Sequence, residues 1–139
     1  MTIRRLHHAQ ITIPTGAEDE ARAFYCALLG LDEVEKPASL QGRGGFWLTV
    51  GDQQVHVGSE SGVDRHQTKA HLAYEVDDVG AWRARFAERG VTIAEQPPIP
   101  GYERFEIRDP FGNRLEFIQL VGAEPHLPTP SPEYWRGGA

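Results

Sequence analysis

The chain has 139 residues, 40% hydrophobic and 24% charged, with 14 basic against 20 acidic side chains and a net charge of −6. This suits one domain with a sizeable core, and the acidic balance without a basic run argues against a nucleic-acid partner. No stretch approaches the roughly 18 apolar residues of a membrane span, and Met1-Thr-Ile-Arg-Arg-Leu-His lacks the apolar segment of a signal peptide. Cys26 is the only cysteine, which excludes an intrachain disulfide and fits a reducing, cytoplasmic location. In a helical pattern a lone cysteine reads as a small buried hydrophobe.

Leu6–Ile13 alternates loosely and is rich in β-branched residues, which predicts a strand with His8, Gln10 and Thr12 on one face. Glu18–Leu29 reads as a helix: Ala21, Phe24, Tyr25 and Leu28 repeat at helical spacing, acidic residues fill the first turn, and Gly30 is the stop. A short strand is expected at Leu31–Glu35, then a loop over Pro37–Gly45. Phe46–Val50 and Gln54–Gly58 read as a hairpin about Gly51-Asp52, with His56 within its second strand. After a polar loop, Ala70–Val76 predicts a strand that sets His71, Ala73 and Glu75 opposite Leu72, Tyr74 and Val76. Asp77-Asp78 signals the N-terminus of a helix whose buried side carries Val79, Trp82 and Phe86, and which ends at Gly90. A short strand near Val91–Ala94, a Pro-rich loop, a strand at Tyr102–Arg108 and a last strand through Leu120 complete the pattern. Val121–Ala139, with four prolines, reads as a tail that Tyr134 and Trp135 would pin.

The order β-α-β-β-β occurs twice. The fold class expected is α+β, with two βαβββ modules over about residues 5–58 and 70–120 in a single domain, 1–120, followed by the tail 121–139. His8 and His71 stand 63 residues apart on the first strand of each copy, and His56 and Glu116 stand 60 apart on the fourth. A ligand-type side chain thus falls at two equivalent places in both copies. Imidazole and carboxylate together suit Zn, Fe, Ni, Co or Mn, and three or four such ligands with open positions make a catalytic arrangement. His8, His56, His71 and Glu116 are therefore the expected metal ligands.

Asp109-Pro-Phe-Gly-Asn reads as a tight turn, with Gly112 and Asn113 tolerating positive φ. It feeds an apolar strand in which Glu116 is the lone carboxylate, costly to bury without a partner. His7, beside His8, is expected to face the helix or solvent. His66 and His126 lie in loop and tail. Arg104, Glu106 and Arg108 alternate on one strand and read as a solvated face, with a basic group for an anionic substrate as the alternative. No phosphate-cradling glycine pattern and no nucleophile–base pair is present.

The chain resembles the vicinal oxygen chelate superfamily, which holds glyoxalase I, extradiol dioxygenases, methylmalonyl-CoA epimerase and the fosfomycin and bleomycin resistance proteins. The resemblance covers about residues 5–120. It rests on Leu6-His-His-Ala-Gln-Ile, Phe24-Tyr-Cys-Ala-Leu-Leu-Gly-Leu, Ala70-His-Leu-Ala-Tyr-Glu-Val-Asp-Asp and Asp109-Pro-Phe-Gly-Asn-Arg-Leu-Glu-Phe. It implies an open half-barrel groove built by the two modules around a divalent metal, with His8, His71 and Glu116 at ligand positions. His56 stands where glyoxalase I has a Glu and the epimerase a Gln. The resemblance further implies a small oxygenated substrate that chelates the metal, lyase or isomerase chemistry of glyoxalase type with Glu116 as general base, and a homodimer. The alternatives are an extradiol-type dioxygenase using His8, His71 and Glu116, and a non-catalytic drug-binding protein. Gln10, Thr12, Phe46, Leu48 and Arg104 are the expected substrate-binding residues.

Overall fold

The computed structural model describes residues 1–122; the tail, with His126, Tyr134 and Trp135, lies outside them. By internal contacts the chain divides into two units. One comprises Met1–Ala70 with Arg108–Arg114, the other His71–Ile107 with the segment from Leu115 onward.

In the first unit the strands are β1 (His8–Ile13), β2 (Asp32–Val34), β3 (Phe46–Val50) and β4 (Gln53–Ser59), hydrogen-bonded in the order β1-β4-β3-β2. β1 runs parallel to β4 in the register His8↔Gln54 and Gln10↔His56, while β3 is antiparallel to both β4 and β2. β4 begins at Gln53, so Leu6 has no strand opposite it and stays exposed. This is why β1 starts two residues later than its β-branched pattern suggests.

Helix α1 (Glu18–Arg22) continues as a π-helical turn over Ala23–Leu28. There the Leu29 amide reaches back five residues to the Phe24 carbonyl, at 3.0 Å. The expected apolar stripe is buried: Ala21, Phe24, Tyr25 and Leu28 pack with Ile13, Phe46, Leu48, Val55 and Val57 as core residues of this unit. Cys26 is only partly buried, and burial, the largest influence, raises its thiol pKa. The loop expected over Pro37–Gly45 contains a 3-10 helix at Ala38–Arg43.

The second unit repeats the plan. Its strands β5 (His71–Glu75), β6 (Ala94–Glu95), β7 (Tyr102–Arg108) and β8 (Arg114–Leu120) take the order β5-β8-β7-β6, with α2 (Val79–Glu88) following β5. β6 lies later than the expected Val91–Ala94, paired to β7 at Glu106 and Phe105; Pro97 and Pro98 then prevent its extension. Asp78 caps α2 by accepting from the Ala81 amide at 3.0 Å. Trp82 and Phe86 of α2 meet Phe117, which also stacks on Phe105 with centroids 5.5 Å apart. This cluster holds helix to sheet. The fold is thus two βαβββ modules forming two four-stranded sheets.

The turn between β7 and β8 is fixed by Asp109, which is 5% exposed. Its Oδ1 accepts from the Phe111 and Asn113 amides, both at 2.9 Å. Its Oδ2 accepts from the Tyr25 hydroxyl at 2.7 Å and from Asn113 Nδ2 at 2.8 Å. Asn113 also donates to the Thr12 carbonyl. Only Gly112 takes positive φ here, at 103°, and a Cβ on it would stand 2.6 Å from His66 Cε1. Asn113 makes its contribution through hydrogen bonds, not through a left-handed backbone.

Candidate metal centre

Strand alternation decides what each sheet shows to its two sides. On β7, Phe105 and Ile107 enter the core, so Arg104 and Glu106 share the other face. On β8, Leu115 and Phe117 enter the core, so Glu116 shares the face of Arg104 and Glu106. On β5, Tyr74 is the core residue and His71 stands on the opposite face. Because β8 lies between β5 and β7, Glu116 has His71 on one side and the β7 residues on the other.

The ligand atoms of His71, Glu106 and Glu116 all lie within 4.8 Å of one another, and among the described residues this is the group that could hold a metal ion. Both carboxylates are buried, at 4% and 6% exposure, while His71 is open to solvent. His71 Nε2 stands 3.7 Å from Glu116 Oε1. Arg104 Nη1 donates to the same Oε1 at 2.8 Å, and its Nε and Nη2 both donate to the Pro97 carbonyl, at 3.2 and 2.8 Å. Two buried carboxylates facing one guanidinium leave an excess of negative charge, which a cation would offset. One imidazole and two carboxylates form a nitrogen–oxygen donor set of the kind that takes Zn, Fe, Mn, Co or Ni. A cleft of about 350 Å³ opens beside Arg104, lined also by Arg83, Glu95 and Tyr102. Arg83 there is bonded to Glu95, whose carboxyl pKa it lowers.

The first unit carries the corresponding places of the repeat. His56 lies on β4 opposite Trp47 of β3, and the two rings stack with centroids 3.8 Å apart and planes within 1°. His8 stacks on His56 at 4.1 Å, so both faces of the His56 imidazole are covered. Its Nε2 donates to Gln54 Oε1 at 3.0 Å. Burial, with lesser contributions from the charges of His8 and His7, lowers its pKa, which favours the neutral ring. His7 is exposed, its Nδ1 3.0 Å from His8 Nδ1.

The expected substrate residues divide. Gln10 lies on the His56 side of the sheet, over Gly58, where an added Cβ would stand 2.6 Å from Gln10 Nε2. The Thr12 hydroxyl accepts from Arg65 Nε at 3.2 Å. Phe46 and Leu48 are 2% and 0% exposed and belong to the core. The β3 side chain on the face of His56 is Trp47, because alternation turns its two neighbours inward. Arg104 is ion-paired with Glu116.

Glu106 was expected on a solvated face and is buried beside Glu116. The hairpin carries a signal for it. Asp109 and Asn113 pair across the turn, amide to carbonyl at 2.8 Å. Counting back along both strands from that pair sets Glu106 opposite Glu116, as Trp47 is set opposite His56 in the first copy.

The sequence model of the Glyoxalase/Bleomycin resistance protein/Dioxygenase superfamily matches residues 5–117. The chain belongs to this superfamily. A glyoxalase family protein of Bacillus anthracis is 35% identical in sequence, with 86% of this chain and 98% of that one covered and a TM-score of 0.80. The lactoylglutathione lyase of Agrobacterium tumefaciens is 21% identical over 85% of this chain and 95% of that one, with a TM-score of 0.66. A fosfomycin resistance protein of Listeria monocytogenes, FosX, is 14% identical over 85% and 94%, with a TM-score of 0.68. The last two share the fold of the superfamily with this chain. No curated protein matches it. Among the described residues no helix is long and apolar enough to cross a membrane.

Proposed function

We propose that the chain is a metal-dependent enzyme of the superfamily, acting on a small oxygenated substrate by lyase or isomerase chemistry of glyoxalase type. The observation that carries this reading is the convergence of His71, Glu106 and Glu116 on one point, with both carboxylates withdrawn from water. These three residues would hold the cation, and His8 and His56 stay proposed ligands on the family resemblance alone. His56 would bind through Nε2 only by giving up its bond to Gln54. A divalent ion in such a set supplies Lewis acidity that stabilises an anionic oxygen next to a carbonyl.

Glu116 is the proposed general base. Arg104 and His71 approach it through Oε1, which leaves Oε2 to accept a proton from the carbon α to a substrate carbonyl. Arg104 keeps that carboxylate in line by bonding it on one side and the Pro97 carbonyl on the other. Turnover of a hemithioacetal by the metal-loaded protein, lost in Glu116→Gln, tests this assignment. Oxygen uptake with catechols, and no hemithioacetal turnover, would instead assign an extradiol dioxygenase.

A second reading, a small-molecule-binding protein that works without metal, is favoured by one observation: Arg104 already supplies Glu116 with a positive partner. A protein that takes up no metal on reconstitution yet retains a ligand would decide for it.

A further inference from the structure

Arg104 and a divalent cation would need the same oxygen. Among the described contacts of Glu116, both Arg104 Nη1 and His71 Nε2 come to Oε1, at 2.8 and 3.7 Å. Any ion held by His71, Glu106 and Glu116 engages this carboxylate. The guanidinium is anchored on its other edge, where Nε and Nη2 share the Pro97 carbonyl. Its Nη1 edge is therefore the one able to change partner while the group stays in place.

Charge points the same way. Two carboxylates and one guanidinium carry one negative charge in excess. A divalent cation added to them reverses the sign and leaves one positive charge in excess, in surroundings where Glu106 and Glu116 are almost fully withdrawn from water. Uncompensated charge there is costly. A neutral ligand leaves that excess standing, whereas a ligand bearing negative charge removes it. The cleft beside Arg104 does not meet the need from its own side, because Glu95 and Glu103 line it and Arg83 is taken by Glu95.

We infer that Arg104 is an exchangeable counter-ion: it holds Glu116 when no cation is bound, and passes Nη1 to an anionic oxygen of the substrate when one is. The substrate class is then a chelating anion, such as a carboxylate with a neighbouring oxygen. The inference rests on the metal reading above, and Arg104 is a positioning residue for Glu116 as well as an anion contact.

The test uses the full chain stripped of metal, in wild type, Arg104→Met and Arg104→Lys. Co(II) binding is measured by calorimetry, and oxalate binding to the Co(II)-loaded proteins by the visible spectrum of the ion. In Arg104→Met, Co(II) binds at least tenfold tighter, because a competing cation is gone, and oxalate binds at least tenfold weaker. Arg104→Lys restores both toward wild type. The opposite movement of the two affinities is a signature that a loosened structure does not produce, since that would weaken both. Equal or weaker Co(II) binding in Arg104→Met, or unchanged oxalate affinity, overturns the inference while leaving the metal reading standing. Wild type that binds no Co(II) overturns both.

Discussion

Arg104 donates through Nη1 to Oε1 of Glu116 at 2.8 Å, and the Glu116 side chain is 8% exposed. A buried carboxylate is thereby held ionised and aimed at one point, beside His71 and across from Glu106. The chemistry proposed for the chain depends on that placement, and so do the following predictions.

Glu106→Gln lowers cation affinity by at least tenfold and leaves the fold intact. The amide keeps the shape and an oxygen donor but removes one of the two buried charges. Co(II) titration followed by absorption checks this, and far-ultraviolet circular dichroism checks that the strands survive. Unchanged affinity would remove Glu106 from the site.

Tyr25→Phe destabilises the protein by about 1.5–3 kcal/mol, the range for a buried hydrogen bond to a charged group. Tyr25 is fully buried, and its hydroxyl donates to Asp109 Oδ2 at 2.7 Å. Removing it withdraws one of four donors from a carboxylate that is itself buried. Urea unfolding measures the loss. A change below about 0.5 kcal/mol, the size of an ordinary surface substitution, would mean that the turn holds without the helix.

Much of this was legible before any coordinates. Strands 46–50 and 102–108 follow from alternation alone, and the repeat placed His8 with His56 and His71 with Glu116 on matching strands. The Asp109 turn was legible too, because aspartate, proline and glycine each have a distinct role in it. What escaped was the third dimension of the alternation. Glu106 lies between Arg104 and Arg108, and a run of charges at every second position is what a solvated strand looks like. Only pairing across the hairpin reveals that it faces Glu116. Phe46 and Leu48 suggested a groove because they flank the histidine strand, but the period of two sends them into the core and leaves Trp47 beside His56. The π-helical turn at Ala23–Leu28 has no signature in a helical apolar stripe.

Acid destabilises the metal-free protein through His56. Burial first, then the charges of His8 and His7, lowers its pKa below the ordinary 6.5. The unfolded chain therefore takes up a proton at a higher pH than the folded chain. Stability is unaffected well above 6.5, falls as the pH drops below it, and levels off under the folded-state pKa. Thermal melts of chelator-treated wild type and His56→Gln across pH 5 to 8 check this (order-of-magnitude window from the ordinary histidine range). The substitution flattens the slope; an equal slope in both proteins would place the titration elsewhere.

Phe117→Ala costs about 3–5 kcal/mol, as expected for an aromatic removed from a core. Its ring meets Tyr74, Trp82, Phe86 and Phe105 at once, and its neighbour Glu116 takes its position from the same strand. Chemical denaturation gives the cost, and cation affinity measured on the folded fraction falls with it. A mild loss with affinity intact would show that β8 is positioned by other contacts.

The central claim is that Glu116 anchors a divalent cation in a superfamily enzyme. Elemental analysis of wild type and Glu116→Ala, each reconstituted with metal and freed of excess, tests it most directly. The account predicts a near-stoichiometric ion per wild-type chain and its loss in the variant. Less than about a tenth of an ion per wild-type chain, or equal content in the two proteins, would contradict it (the threshold is set well below the roughly single ion that a catalytic site retains).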